Sequence, residues 1–144
     1  MLQNEEGVGL INKAMERLFQ VIEMTLGEIT EQSGELKFES QNKGQFGLNI
    51  SAPYRLDMYI RLTNIGHNYA NEAKLRTFIA VRTRSEFGEK GGVFRTLEFK
   101  PAFDLLSEVV WVSKDDGNRY GTDELGGHVI DALSTEIQAQ SEKR

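Results

Sequence analysis

From Tyr54 to Thr63 the chain alternates apolar and polar residues without a break: Tyr54, Leu56, Met58, Ile60 and Leu62 against Arg55, Asp57, Tyr59, Arg61 and Thr63. A period of two puts the first set on one face of a β-strand and the second on the other. Such a strand belongs to an antiparallel sheet with one buried face and one wet face. The rest of the chain must supply whatever covers the buried face.

Two helical patterns can do so. Val8, Ile11, Met15, Leu18, Phe19, Ile22, Leu26 and Ile29 recur at helical spacing within residues 1–33. Leu10, Ala14 and Val21 widen the apolar arc to about 180°, where about 100° suffices for a helix on one sheet. The extra width predicts contact with a second element, either the C-terminal helix or another subunit. Ile11, Met15, Leu18 and Ile22 also fit a seven-residue repeat with Val8, Thr25 and Ile29. They are therefore candidate interface residues of a homodimer, beside their reading as core. Ser33-Gly34 stops the helix, since Gly suits a left-handed cap. At the other end Leu125, Val129, Leu133 and Ile137 repeat every four residues through a helix over 122–140. Thr122 is its expected N-cap, with Asp123 and Glu124 in the first turn, where negative charge is favoured. Gly126-Gly127 should weaken this helix by about 1 kcal/mol per glycine relative to alanine, a cost that close packing against another element would explain.

Between the helices, 35–113 reads as sheet. Leu36 and Phe38, then Phe46, Leu48, Ile50 and Ala52, form a hairpin around Gln41–Gly44. Further strands are expected over Leu75–Arg84 and Val93–Lys100, the latter ended by Pro101. Ala102–Val110 fits a short helix started by Pro101, and Val109–Val112 fits a buried strand equally well. Asp115-Asp116-Gly117 is a tight turn. The expected fold is a single α+β domain. It is a twisted antiparallel sheet of about five to six strands, with the N-terminal long helix and the C-terminal helix packed on one face.

Charge is unevenly placed. Residues 53–100 carry nine Lys/Arg against five Asp/Glu, whereas 1–52 carry four against eight and 101–144 four against nine. The basic middle coincides with the strands. Arg55, Tyr59 and Arg61 fall on one face of their strand, and Arg76, Phe78, Arg82 and Arg84 on one face of the next. If the two strands are neighbours, guanidinium and aromatic groups interleave on the outer surface. Such a face can bind carboxylate or phosphate bidentately and stack on bases. It can equally be a solvated face whose arginines pair with Asp57 or Glu98 at about 0.2–1 kcal/mol each. The net charge of −5 favours an acidic protein partner over nucleic acid or a nucleotide.

Catalytic and metal chemistries lack parts. The chain of 144 residues has no cysteine, which removes disulfides, thiolate metal sites and Cys nucleophiles, and fits a cytoplasmic location. Its acidic start lacks the basic and apolar regions of a signal peptide, and no apolar run exceeds four residues. Of two histidines, His67 sits in a loop beside Tyr69, where an enzyme would have to be built. His128 has Glu124 and Asp131 at helical spacing, which could orient an imidazole but is ordinarily a surface charge pair. No paired-His or HExxH spacing occurs. Gly88–Gly92 lacks the helix behind a phosphate loop, Asp116–Gly127 lacks carboxylates where a calcium loop needs them, and no Gly-x-Ser-x-Gly elbow exists. The expectation is a small accessory protein acting by protein–protein contact, with no catalytic residue, metal site or cofactor assigned.

Overall fold

The computed structural model describes residues 4–44, 46–63, 73–81, 93–103 and 108–142. A long helix, α1 (Asn4–Ser33), opens the chain. Seven strands follow: β1 (Glu39–Asn42), β2 (Gly47–Ala52), β3 (Leu56–Thr63), β4 (Lys74–Val81), β5 (Val93–Phe103), β6 (Val109–Ser113) and β7 (Arg119–Gly121). A second helix, α2 (Thr122–Glu142), closes the described chain. The strands form one open antiparallel sheet in chain order, each beside its sequence neighbours. The fold is α+β with the helices against the sheet. The strand beyond the expected six is β7, whose three residues are too few for an alternation to show.

The period-two residues do what their spacing demands. Leu48 pairs with Ile60, Ile50 with Met58, Met58 with Ile79, and Leu75 with Phe99, so one face of the sheet is continuously apolar. That face is the core. Ile11, Met15 and Ile22 of α1 reach complete burial within the chain, as do Leu48, Met58, Leu75 and Trp111 of the sheet. The broad arc of α1 is explained by α2. Arg17 meets Asp123, Val21 meets Gly126, and Ile29 shares a crevice with Ile137. Numbers rise together on both helices, so α1 and α2 lie side by side and run parallel.

Gly126 is the closest point of that pairing. A Cβ there would stand 2.7 Å from Cγ1 of Val21, whereas at Gly127 it would meet nothing within 4 Å. Only the first glycine is needed for helix packing. At the end of α1, Gly34 adopts φ +67° and its N–H donates to the Thr30 carbonyl at 3.0 Å, the left-handed cap expected there. Thr122, the expected cap of α2, uses its hydroxyl otherwise: Oγ1 accepts from the indole N–H of buried Trp111 at 3.2 Å, tying β6 to the start of the helix.

Two expectations about strand limits need correction, and one open alternative is decided. Tyr54 and Arg55 precede β3 in a tight left-handed turn, with φ of 60° and 62° and the Leu56 N–H donating to the Pro53 carbonyl. Left-handed backbone at a residue with a side chain costs about 1–2 kcal/mol. The turn nonetheless has the twist that joins two strands tightly, and the Tyr54 side chain packs against the core. Pro101 does not end β5, which runs on to Phe103 with Pro101 opposite Trp111. Proline is tolerated because the last register pair with β4 is Leu75 with Phe99, leaving a strand on one side only. Within 102–110, Ala102 and Phe103 belong to β5 and Val109 and Val110 to β6, so the strand alternative holds at 109–110. Among the described residues no helix is long and apolar enough to cross a membrane.

The helix contact yields a paired test. Gly126→Ala should lower the urea midpoint, by about 1–2 kcal/mol of stability, because overpacking against stiff Val21 exceeds the gain in helix propensity. Gly127→Ala should be neutral or stabilise by up to about 1 kcal/mol. Equal effects at the two positions would mean that the helices do not touch there.

Candidate functional site

The helices occupy one face of the sheet, and the other face carries the second half of each alternation. β3 and β4 are neighbours, with Tyr59 opposite Phe78 and Arg61 opposite Arg76. Arginine and aromatic side chains from the two strands therefore share one surface. Arg55 is not on it, because it sits exposed in the turn before β3. Arg82 and Arg84 lie outside the described residues, as do His67, Tyr69 and the Gly88–Gly92 loop.

Two guanidiniums directly opposite one another would repel, and the structure resolves this by turning them apart. Arg76 Nε donates to Oε1 of Glu98 on β5 at 2.8 Å, and Lys114 Nζ stands 3.5 Å from the other carboxylate oxygen. Arg61 turns toward β2. Its Nη1 donates to the carbonyls of Ile60 (2.8 Å) and Leu48 (3.3 Å), and its Nη2 to Oδ1 of Asn49. The same guanidinium lies 5.8 Å from the centre of the Tyr59 ring, within cation–π range. The Tyr59 hydroxyl donates to Oδ2 of Asp57 at 3.2 Å, and Asp57 is itself buried on this face. The surface is thus a cross-linked array of hydrogen bonds. The positive charge of Arg76 is answered by Glu98, and Arg61 keeps its charge with its donors engaged by neutral acceptors.

This corrects the simplest form of the basic-face expectation. The charges do not sort into positive strands and negative helices: Glu98 and Asp57 sit among the arginines, and Arg17 on α1 forms a two-pronged pair with Asp123, both bonds at 2.9 Å. The candidate dimer seam is corrected as well. Ile11, Met15, Leu18 and Ile22 are at most 1% exposed within the single chain, so they face its own core and give no surface to a partner. Among large apolar side chains described, the exposed one is Met24.

Other features were not legible beforehand. A polar groove of 360 Å³ crosses the outer face of β1–β3, where Glu39, Ser51 and Asp57 align in one register row and Gln41, Asn49 and Tyr59 in the next. Finding it requires the pairing register, which alternation alone does not give. A hollow of 820 Å³ lies between the first half of α1, β6–β7 and the start of α2. Its cations Lys13, Arg17 and Arg119 stand beside Glu108, Asp123 and Glu124, so it has no strong charge preference. His128 is half-buried and packs against rings rather than carboxylates. It stacks on Tyr120 at 4.6 Å between ring centres and meets Phe99 edge-on at 6.1 Å. Glu124 instead accepts the Gly121 N–H at 3.3 Å, so this histidine is not set up as a general base. Among the described residues no group of three or more potential metal ligands gathers.

No protein-family model, no curated protein and no solved structure matches this chain.

The ion pairs fix an acid response. The hydrogen bond from Arg76 holds the Glu98 carboxyl below its ordinary range, against the opposing effect of burial, and Arg17 does the same for Asp123. A depressed carboxyl stabilises the fold above the unfolded carboxylate range, and the effect is lost as pH falls through the folded value. Stability should therefore decline below about pH 4.5. Glu98→Gln should lose up to about 1 kcal/mol at pH 7, because Arg76 is partly solvent-screened, and should decline less steeply in acid. Parallel pH profiles for the two proteins between pH 7 and 3 would show that Glu98 is not coupled to folding.

Proposed function

We propose that this chain is a small non-enzymatic binding or accessory protein, working in the cytoplasm by protein–protein contact through the outer face of its sheet. One observation carries the reading. Both helices lie on the same side, and among the described residues no helix covers the face holding Tyr59, Arg61, Arg76 and Phe78. Tyrosine and arginine are enriched at binding hot spots, and here hydrogen bonds hold Tyr59, Arg61 and Arg76 in place. Pre-set side chains lose less conformational freedom on association. The charge of Arg61 and the flanking exposed Lys100 favour a partner with acidic groups at its rim. Nucleic-acid or nucleotide binding draws less support, because Arg76 is already matched by Glu98 and the whole chain carries −5. Dimerisation along α1 draws none from its four core residues.

Thr96 and Lys100 are exposed on β5 at the border of this surface. Changing both to Glu should weaken capture of the proteins that co-purify with the wild type at least tenfold. Met24→Lys, on the helix side, should leave capture unchanged. Undiminished capture by a folded Thr96→Glu/Lys100→Glu protein would remove the outer face as the contact surface.

A further inference from the structure

Parallel packing of α1 and α2 has an electrostatic consequence. It brings both helix C-termini to one end of the molecule. Each C-terminus carries roughly half a negative charge from its unsatisfied carbonyls, normally offset by a basic residue in the last turn. Neither helix has one. Acids stand there instead: Glu28, Glu31 and Glu35 around the end of α1, and Glu136 and Glu142 on the last two turns of α2. Among the described residues Lys37 follows the end of α1 and Arg55 follows Tyr54, and Lys143 and Arg144 follow the last described position. Helix dipoles and acids therefore add to a negative end.

An apolar crevice opens at that same end. Ile29 and Ile137 come from the two helices, Leu36 and Phe38 from the segment leaving α1, and Tyr54 from the turn before β3; Ser134, Gln138 and Ser141 of α2 complete the lining. Ile137 belongs to the core, and Ile29, Phe38 and Tyr54 pack against it. The left-handed turn described above is what carries the Tyr54 ring there, and local strain of this kind is found disproportionately where a side chain must be aimed. The volume is 260 Å³, below the roughly 300–1,000 Å³ of small-molecule pockets and suited to one large side chain acting as an anchor.

We propose that this crevice takes a phenylalanine or leucine side chain presented by a lysine- and arginine-rich segment of a partner protein. The apolar walls select the anchor, and the negative helix ends select its flanks. The inference rests on the reading of the chain as a binding protein but uses a different surface, so the two can fail separately.

The probe is a capped hexapeptide, Lys-Arg-Phe-Lys-Leu-Arg, titrated into the full chain at low salt and followed by backbone amide shifts. Shifts are expected at Ile29, Leu36, Phe38 and Ile137, with affinity falling at least tenfold between 50 and 500 mM salt. Glu28→Lys/Glu31→Lys, both exposed, should weaken binding at least tenfold while leaving the fold intact. A peptide with Ser in place of Phe and Leu should also bind at least tenfold more weakly. The idea is overturned by an absence of shifts in the crevice at millimolar peptide, or by equal binding of a Glu/Asp-flanked peptide. Equal binding of the Ser peptide would likewise reduce it to bare charge attraction. A tenfold gain in affinity on deleting Lys143 and Arg144 would make the chain's own tail the occupant and overturn it too. Any of these results, with the β5 variant still failing to capture partners, would leave the outer-face proposal standing.

Discussion

Burial of a single sheet face determines the rest of the architecture. Strands with one apolar side need a cover, and a sheet of seven strands is too wide for one helix of about 10–12 Å diameter. The chain answers with two. The inner face presents Leu48, Ile50, Met58, Ile60, Leu75 and Phe99 in continuous register, and α1 lays Ile11, Met15, Leu18 and Ile22 into the core against it. α2 completes the cover, and Gly126 lets the two helices approach until Val21 fills the space a methyl group would occupy. Trp111 then joins the sheet to α2 through its indole hydrogen bond with Thr122. Removing the period-two pattern would leave neither helix with a surface to bury.

The same arrangement sets the electrostatics. With both helices on one side, the outer strand residues have only each other and solvent to meet. Opposed Arg61 and Arg76 are kept compatible because one reaches across to β5 and the other back to β2. The result is a surface of fixed groups with modest charge. Parallel helices have the opposite tendency: their dipoles add instead of cancelling, and acids at both C-termini deepen the effect. The start of α2 is the favourable counterpart, where Asp123 meets both the helix N-terminus and Arg17. The strand face stays mixed in charge, with Asp57 and Glu98 among its arginines.

Much of this was legible from residue order, and the failures have physical causes. The α1 stripe, the α2 repeat from Leu125 to Ile137 and the core of β3 followed from periodicity, because burial of one face imposes that period. The width of the α1 arc correctly signalled a second contact, and α2 supplies it. Tyr54 misled because its ring is apolar and in phase, although its backbone turns back in a left-handed conformation that alternation cannot reveal. Pro101 misled because a proline stops a strand only where a neighbour needs its missing N–H, and that depends on where β4 begins. The pairing of Arg76 with Glu98, 22 residues away, was one of two readings of the arginine face, and only the strand register decides that Arg76 meets Glu98. The polar groove, the crevice and the helix direction all depend on register or tertiary packing and had no local signal.

Both proposed contact surfaces depend on the two helices lying parallel across one face, and distances between paired spin labels test this directly. The chain has no cysteine, so labels can be placed at Glu31 with Gln138, and at Glu31 with Asp123, all exposed positions. Asp123 and Gln138 are about 22 Å apart along α2. Parallel packing requires the Glu31–Gln138 separation to be clearly the shorter of the two. A shorter Glu31–Asp123 distance would reverse the helix pair, scatter the C-terminal ends and contradict the architecture from which the contact surfaces were argued.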